Sequence, residues 1–168
     1  MPFPQDYFDR VVCQLGLAFF DDPARGLADF RRALVPGGRT AVSANSTPER
    51  SLFTRIGTVI GKHVPAEAEH LNRYASIRTA ERLSVLLRDA GFTGVMVRSE
   101  VRSFSFASFE DYFAGIEAGA GIAGQVYVRL SKDLQSVVRE DVRRSFPGGT
   151  NSRPFVVEME VLIGSGHK

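Results

Sequence analysis

The 168 residues are 43% hydrophobic and 24% charged, which is enough for one ordinary domain with its own core and too apolar for general disorder. Lysine and arginine number 21 against 19 aspartates and glutamates, with no long basic block, so nothing in the charge pattern asks for nucleic acid. A single cysteine, Cys13, excludes an internal disulfide, and no apolar run reaches the roughly 18–20 residues of a membrane span. Met1-Pro-Phe-Pro-Gln-Asp6 lacks the basic start and apolar run of a signal peptide, so a cytoplasmic protein is expected.

In chain order, Phe8 to Gly16 holds the run Val11-Val12-Cys13, apolar on both pleat faces, which predicts a strand near 10–15 buried on both sides. Asp22 is a good N-cap and Pro23 suits the first helical position; Leu27, Phe30 and Leu34 then recur at helical spacing. Pro36-Gly37-Gly38 reads as a turn into a second buried strand at 39–44. Thr47-Pro48 reads as a second helix start, with Leu52, Ile56, Val59 and Ile60 as its stripe and Pro65 as its end. Residues 65–78 read as loop.

Thr79 caps a helix carrying Leu83, Leu86 and Leu87, stopped by Gly91. Residues 93–102 alternate, with Val95, Val97 and Val101 on one face of a half-exposed strand. Ser108 and Asp111 resemble a capping box before a helix bearing Phe109, Tyr112 and Phe113. The glycines at 115, 119, 121 and 124 predict a mobile loop, Ser131 caps a further helix, and Pro147-Gly148-Gly149 ends it. Residues 155–163 are a last strand, and Gly164–Lys168 reads as a frayed end with a solvated His167. No linker divides the chain, so residues 1–168 read as one α/β domain with a largely parallel sheet.

Four of these stretches resemble one family. Met1-Pro-Phe-Pro-Gln-Asp-Tyr-Phe-Asp9 is similar to its proline-phenylalanine-proline approach, and Val11 to Phe20 to its fourth strand and the loop after it. Asp22 to Arg39 is similar to the helix, Pro-Gly-Gly turn and fifth strand; Leu83 to Phe92 to the helix and Ala-Gly-Phe turn before the sixth. The family is that of the class I S-adenosylmethionine-dependent methyltransferases, in the type 11 branch with the ubiquinone and menaquinone biosynthesis enzymes. The resemblance implies a partial Rossmann-like methyltransferase sheet, the C-terminal half, with flanking helices. It implies S-adenosylmethionine as cofactor and a small-molecule acceptor.

The family grips its cofactor on a glycine-rich turn after its first strand and on an acidic residue ending its second. Both would lie upstream of what Met1 begins. Gly119-Ala-Gly121-Ile-Ala-Gly124 matches G-x-G-x-x-G in letters, but it follows a helical stripe rather than a strand. The resemblance therefore implies a chain inactive by itself. Three readings follow: a truncated methyltransferase, a non-catalytic module that dimerises through an exposed sheet edge, or one subunit of a split enzyme whose partner supplies the missing half.

Methyl transfer needs mainly alignment of donor and acceptor, so no catalytic residue is singled out. By resemblance, the loop after the fourth strand faces the cofactor's methionine part, which assigns cofactor-binding positions to Cys13, Gln14, Leu15 and Phe19; the alternative is that these residues only pack the strand end. Cys13 lies in an apolar run, which disfavours a thiolate. His63, Glu67 and His70 share a helical spacing, but Pro65 interrupts it, and no metal site is expected. Phe104, Phe106, Phe109, Tyr112 and Phe113 read as core before acceptor pocket. Arg25, Arg31, Arg32 and Arg39 read as a solvated face.

Overall fold

A computed structural model describes residues 2–146, 150–151 and 153–168. Four strands, β1 (Phe8–Cys13), β2 (Leu34–Asn45), β3 (Thr93–Phe106) and β4 (Phe155–His167), form one sheet in the order β1-β2-β4-β3. The helices are α1 (Pro23–Ala33), α2 (Leu52–His63), α3 (Ala68–Asn72), α4 (Ala80–Asp89), α5 (Phe109–Glu117), α6 (Gly121–Tyr127) and α7 (Lys132–Arg144). The expected α/β class, a partial Rossmann-like methyltransferase sheet flanked by helices, is what the chain adopts. The residues gather into two compact units: Met1–Ser46 with Ala75–Glu100 and Glu160–Lys168, and Thr47–Tyr74 with Val101–Met159. The Pro147-Gly148-Gly149 stop lies outside the described residues.

In the first unit, β1 runs parallel to β2 and β4 runs antiparallel to it, from Arg39↔His167 to Asn45↔Val161. Asp22 Oδ1 accepts from the Arg25 N–H at 2.9 Å and Thr79 Oγ1 from the Arg82 N–H at 3.2 Å, so both expected caps hold α1 and α4. These helices pack on each other and bury Leu27, Phe30, Leu83 and Leu87 against Val42 and Leu162, each side chain contributing about 1.5–3 kcal/mol of transfer free energy.

Several expectations change here. Pro36-Gly37-Gly38 is not a turn before the strand but an irregularity inside it. Phe8 pairs with Leu34 and Arg10 with Arg39, and Gly37 takes φ +76 in the extra length between. β1 is not buried on both faces: it is a sheet edge, with Val12 73% exposed. The C-terminal tail is not frayed, because β2 needs its pairing. Lys168 N–H donates to Gly38 O at 2.9 Å, and its ammonium reaches Leu34 O at 2.7 Å and Asp6 at 2.5 Å.

In the second unit, α2 starts at Leu52 rather than after Thr47, since Thr47–Arg50 closes a turn and Ser51 takes the N-cap position. Residues 65–78 are not loop: α3 lies between two 3-10 turns and buries Leu71. Its approach to α2 is close, a Cβ on Gly57 falling 2.8 Å from Leu71 O. The glycine stretch is no mobile loop either. Gly119 and Gly121 adopt φ +83 and +63, and α6 begins at Gly121. The core is aromatic: Phe109 stacks on Phe113 at 5.6 Å, and Phe146 and Phe155 meet edge to face at 5.2 Å.

Candidate functional site

In a sheet with parallel strands, ligands gather outside the carboxyl ends of those strands. Here that end follows Cys13 in β1. Hydrogen bonding finishes the strand abruptly: Leu15 takes φ +53, a left-handed conformation costly for a leucine, and its N–H donates to Ser43 Oγ on β2 at 3.0 Å. A 3-10 turn over Leu17–Phe19 follows, with Leu17 and Ala18 buried beneath it.

Each of the four expected site residues lies on this bend. Gln14 is exposed, Leu15 half-buried, and Phe19 39% exposed. Cys13 is half-buried; burial pushes its thiol pKa up, against backbone hydrogen bonds from Gly16 and Leu17 that pull it down. Gly16 lies over the thiol, where an added Cβ would fall 3.1 Å from the sulfur.

The same strand end carries polar groups that pattern reading passed over. Asn45 ends β2 and Ser46 follows it, both buried, and Ser46 donates to the buried Glu160 of β4 at 2.5 Å. The signal for Glu160 was its acid within an apolar strand. The burial of β4 shifts phase there, from Phe155, Val157 and Met159 to Glu160, Leu162 and Gly164. β3 shifts likewise, after Val97.

The other candidates resolve into structure. His63 Nε2 meets Asp141 Oδ2 at 2.8 Å, and among the described residues no three of His, Cys, Asp and Glu cluster as a metal would need. Phe109, Tyr112 and Phe113 are core; Phe104 is 43% exposed and Phe106 packs on Tyr112 at 5.3 Å. Burial also raises the Tyr112 phenol pKa, and its hydroxyl has no hydrogen-bond partner among the described residues. Arg31 donates to Gly91 O at 2.9 Å and Arg32 to Phe3 O at 2.7 Å, so these two arginines brace backbone.

A hollow of about 210 Å³ lies in the second unit between Pro48, Glu49, Arg55, Thr58, Val59, Lys62 and Ser145. Arg55 spends its donors there on the carbonyls of Pro48, Glu49 and Ser145 and covers Phe146 at 4.7 Å. Arg55 is thus committed to backbone carbonyls.

The bend at 13–19 offers exposed side chains at a parallel strand end. The one G-x-G-x-x-G stretch offers no cradle, because a Cβ on Gly124 would lie 2.5 Å from the Gly119 carbonyl carbon: the chain fills that space with itself.

Residues 1–42 match the methyltransferase domain family. A demethylmenaquinone methyltransferase of Deinococcus radiodurans is 29% identical over 118 residues, 63% of this chain and 47% of that protein. The ubiquinone/menaquinone biosynthesis C-methyltransferase of Francisella philomiragia is 34% identical over 107 residues, 56% of this chain and 43% of that one. The chain thus spans less than half the length of these relatives. Among solved structures, a candidate methyltransferase of Bacillus halodurans shares the fold with a TM-score of 0.61 and 20% identity, over 100% of this chain and 67% of that one. The YcgJ protein of Bacillus subtilis does so at 0.53 and 14%, over 100% and 67%. No helix among the described residues is long and apolar enough to cross a membrane. By sequence in its first strands and by fold along its length, the chain resembles the class I S-adenosylmethionine-dependent methyltransferases.

Proposed function

We propose that this chain supplies one half of an S-adenosylmethionine-dependent methyltransferase site for a small-molecule acceptor. Cys13, Gln14, Leu15 and Phe19 form the wall toward the donor's methionine part. The glycine-rich half comes from outside these 168 residues, whether from the same polypeptide or a partner, and seats its strand beside β1. The single observation behind this reading is the end of β1: a bare parallel edge with Val12 73% exposed, finished by a strained leucine that a hydrogen bond holds in place.

The chain alone is then inactive, since alignment of donor and acceptor needs both walls. Calorimetric titration with S-adenosylmethionine tests this: no saturable heat is expected in the micromolar range. A dissociation constant near ~1 μM, about −8.2 kcal/mol, would overturn it. The second reading is a non-catalytic module whose β1 edge, an unpaired row of backbone groups, takes a second copy of the chain. Val12→Lys distinguishes the two, because only a homodimer through β1 would fall apart in light scattering.

A further inference from the structure

We propose that the outer face of the sheet in the first unit binds a phosphate group between Arg10 of β1 and Arg39 of β2, at a site separate from the bend after Cys13. Strand register carries the inference. Arg10 pairs with Arg39, and Arg39 pairs with His167 of β4. Directly paired residues share a sheet face, with side chains starting about 5 Å apart. Three basic residues therefore stand in one row across three neighbouring strands.

The row lies on the face turned away from the core. Val11, Cys13 and Val42 alternate to the other face and join the buried cluster that Leu27 of α1 and Leu83 of α4 complete. Gly164 and Gly166 of β4 meet Leu83, Leu87 and Phe92 on that inner face, so His167 is turned outward. An added Cβ on Gly94 of β3 would fall 3.3 Å from its ring, so the row ends on a residue without a side chain. Arg10 and Arg39 are exposed and His167 is half-buried. No carboxylate among the described residues forms an ion pair with either arginine, and Asp6 is taken by Lys168.

Like charges directly opposite each other on a sheet oppose folding. A dianion between them turns that repulsion into attraction. Each guanidinium offers a planar fork to a pair of phosphate oxygens, and two arginines match two negative charges. A carboxylate brings one charge and two oxygens, enough for one fork. The pair therefore selects phosphate over carboxylate. S-adenosylmethionine carries no phosphate, so this site is no part of the donor's seat.

The isotope-labelled full chain is titrated with inorganic phosphate, and separately with glycerol 3-phosphate, at about pH 7.5, where the bound form is dianionic, and at constant ionic strength. Saturable shifts of the Arg10 and Arg39 Nε–H signals are expected, with a midpoint of about 1 mM. The tighter ligand names the source as free phosphate or an ester, and acetate should bind about tenfold more weakly than either. Arg10→Gln and Arg39→Gln should each weaken binding about tenfold. Arg39→Lys should as well, because it keeps the charge and loses the fork. Arg25→Gln, an exposed position on α1, should leave binding unchanged. Without phosphate, Arg10→Gln should melt above the wild type, since the opposed charge is gone. Shifts that rise without saturating, or acetate binding as well as phosphate, would show diffuse surface charge and overturn the site. So would undiminished binding in both glutamine variants.

Discussion

The backbone N–H of Leu15 donates to Ser43 Oγ at 3.0 Å, joining the bend after β1 to the next strand while Leu15 sits at φ +53. A left-handed leucine costs about 1–2 kcal/mol and persists only where its surroundings impose it. Ser43 is the named part of that imposition. Ser43→Ala should lower stability by about 1 kcal/mol, the worth of one such hydrogen bond, and should raise hydrogen exchange over residues 14–19. An unchanged melt with unchanged exchange would mean that packing beneath Leu17 and Ala18 holds the bend unaided.

Two glycines near each other should respond in opposite directions. Gly124→Ala forces a methyl to within 2.5 Å of the Gly119 carbonyl carbon, which is backbone and cannot swing aside, so about 1–3 kcal/mol should be lost. Gly115 is an exposed residue inside α5 whose added Cβ would meet only Ala120 Cβ, at 3.9 Å. Gly115→Ala should therefore gain about 0.5–1 kcal/mol from helix propensity. Denaturant midpoints moving the same way would refute the close crossing of α6 on the turn before it.

Acid should loosen the second unit through Glu110. The hydrogen bond from Arg143 at 2.6 Å holds its pKa down at about 2, against an ordinary 4.5. A depressed carboxylate stabilises the fold above its unfolded pKa and loses that contribution as pH falls through the folded value. Between pH 4.5 and about 2 the wild type should therefore lose melting temperature faster than Glu110→Gln. Half of the Glu110 side chain is exposed, so added salt should shrink the difference. Parallel curves would show that the pair contributes nothing to folding.

Much of the architecture was legible from local chemistry. Asp22, Thr79, Ser108 and Ser131 each accept the N–H three residues on, as cap residues should. What escaped depends on contacts distant in sequence. Gly119 to Gly124 reads as flexible because glycine lowers helix propensity, yet close crossing makes those glycines necessary. Gly164 to Lys168 reads as a tail because its glycines pack nothing by themselves; against Leu83 and Phe92 their missing side chains are what lets β4 fit, with added Cβ atoms falling 3.0 Å and 2.9 Å from them. At the candidate site, Cys13, Gln14, Leu15 and Phe19 were legible through the resemblance of this strand end to the family's fourth strand and loop. Ser43 and the Ser46–Glu160 pair were not, because strand pairing is what brings them there.

The place of β4 between β2 and β3 has a consequence for how the chain is made. Ser46 and Glu160 are 114 positions apart, and β2 cannot acquire its antiparallel neighbour until that distance has been synthesised. Through most of translation, the edge of β2 that β4 will cover therefore stays open. Such long-range closure is slow, and open edges recruit other strands while they wait. Ribosome stalling before residue 155 should leave a nascent chain that binds chaperones avidly, and release should follow within the time that β4 needs to slot home.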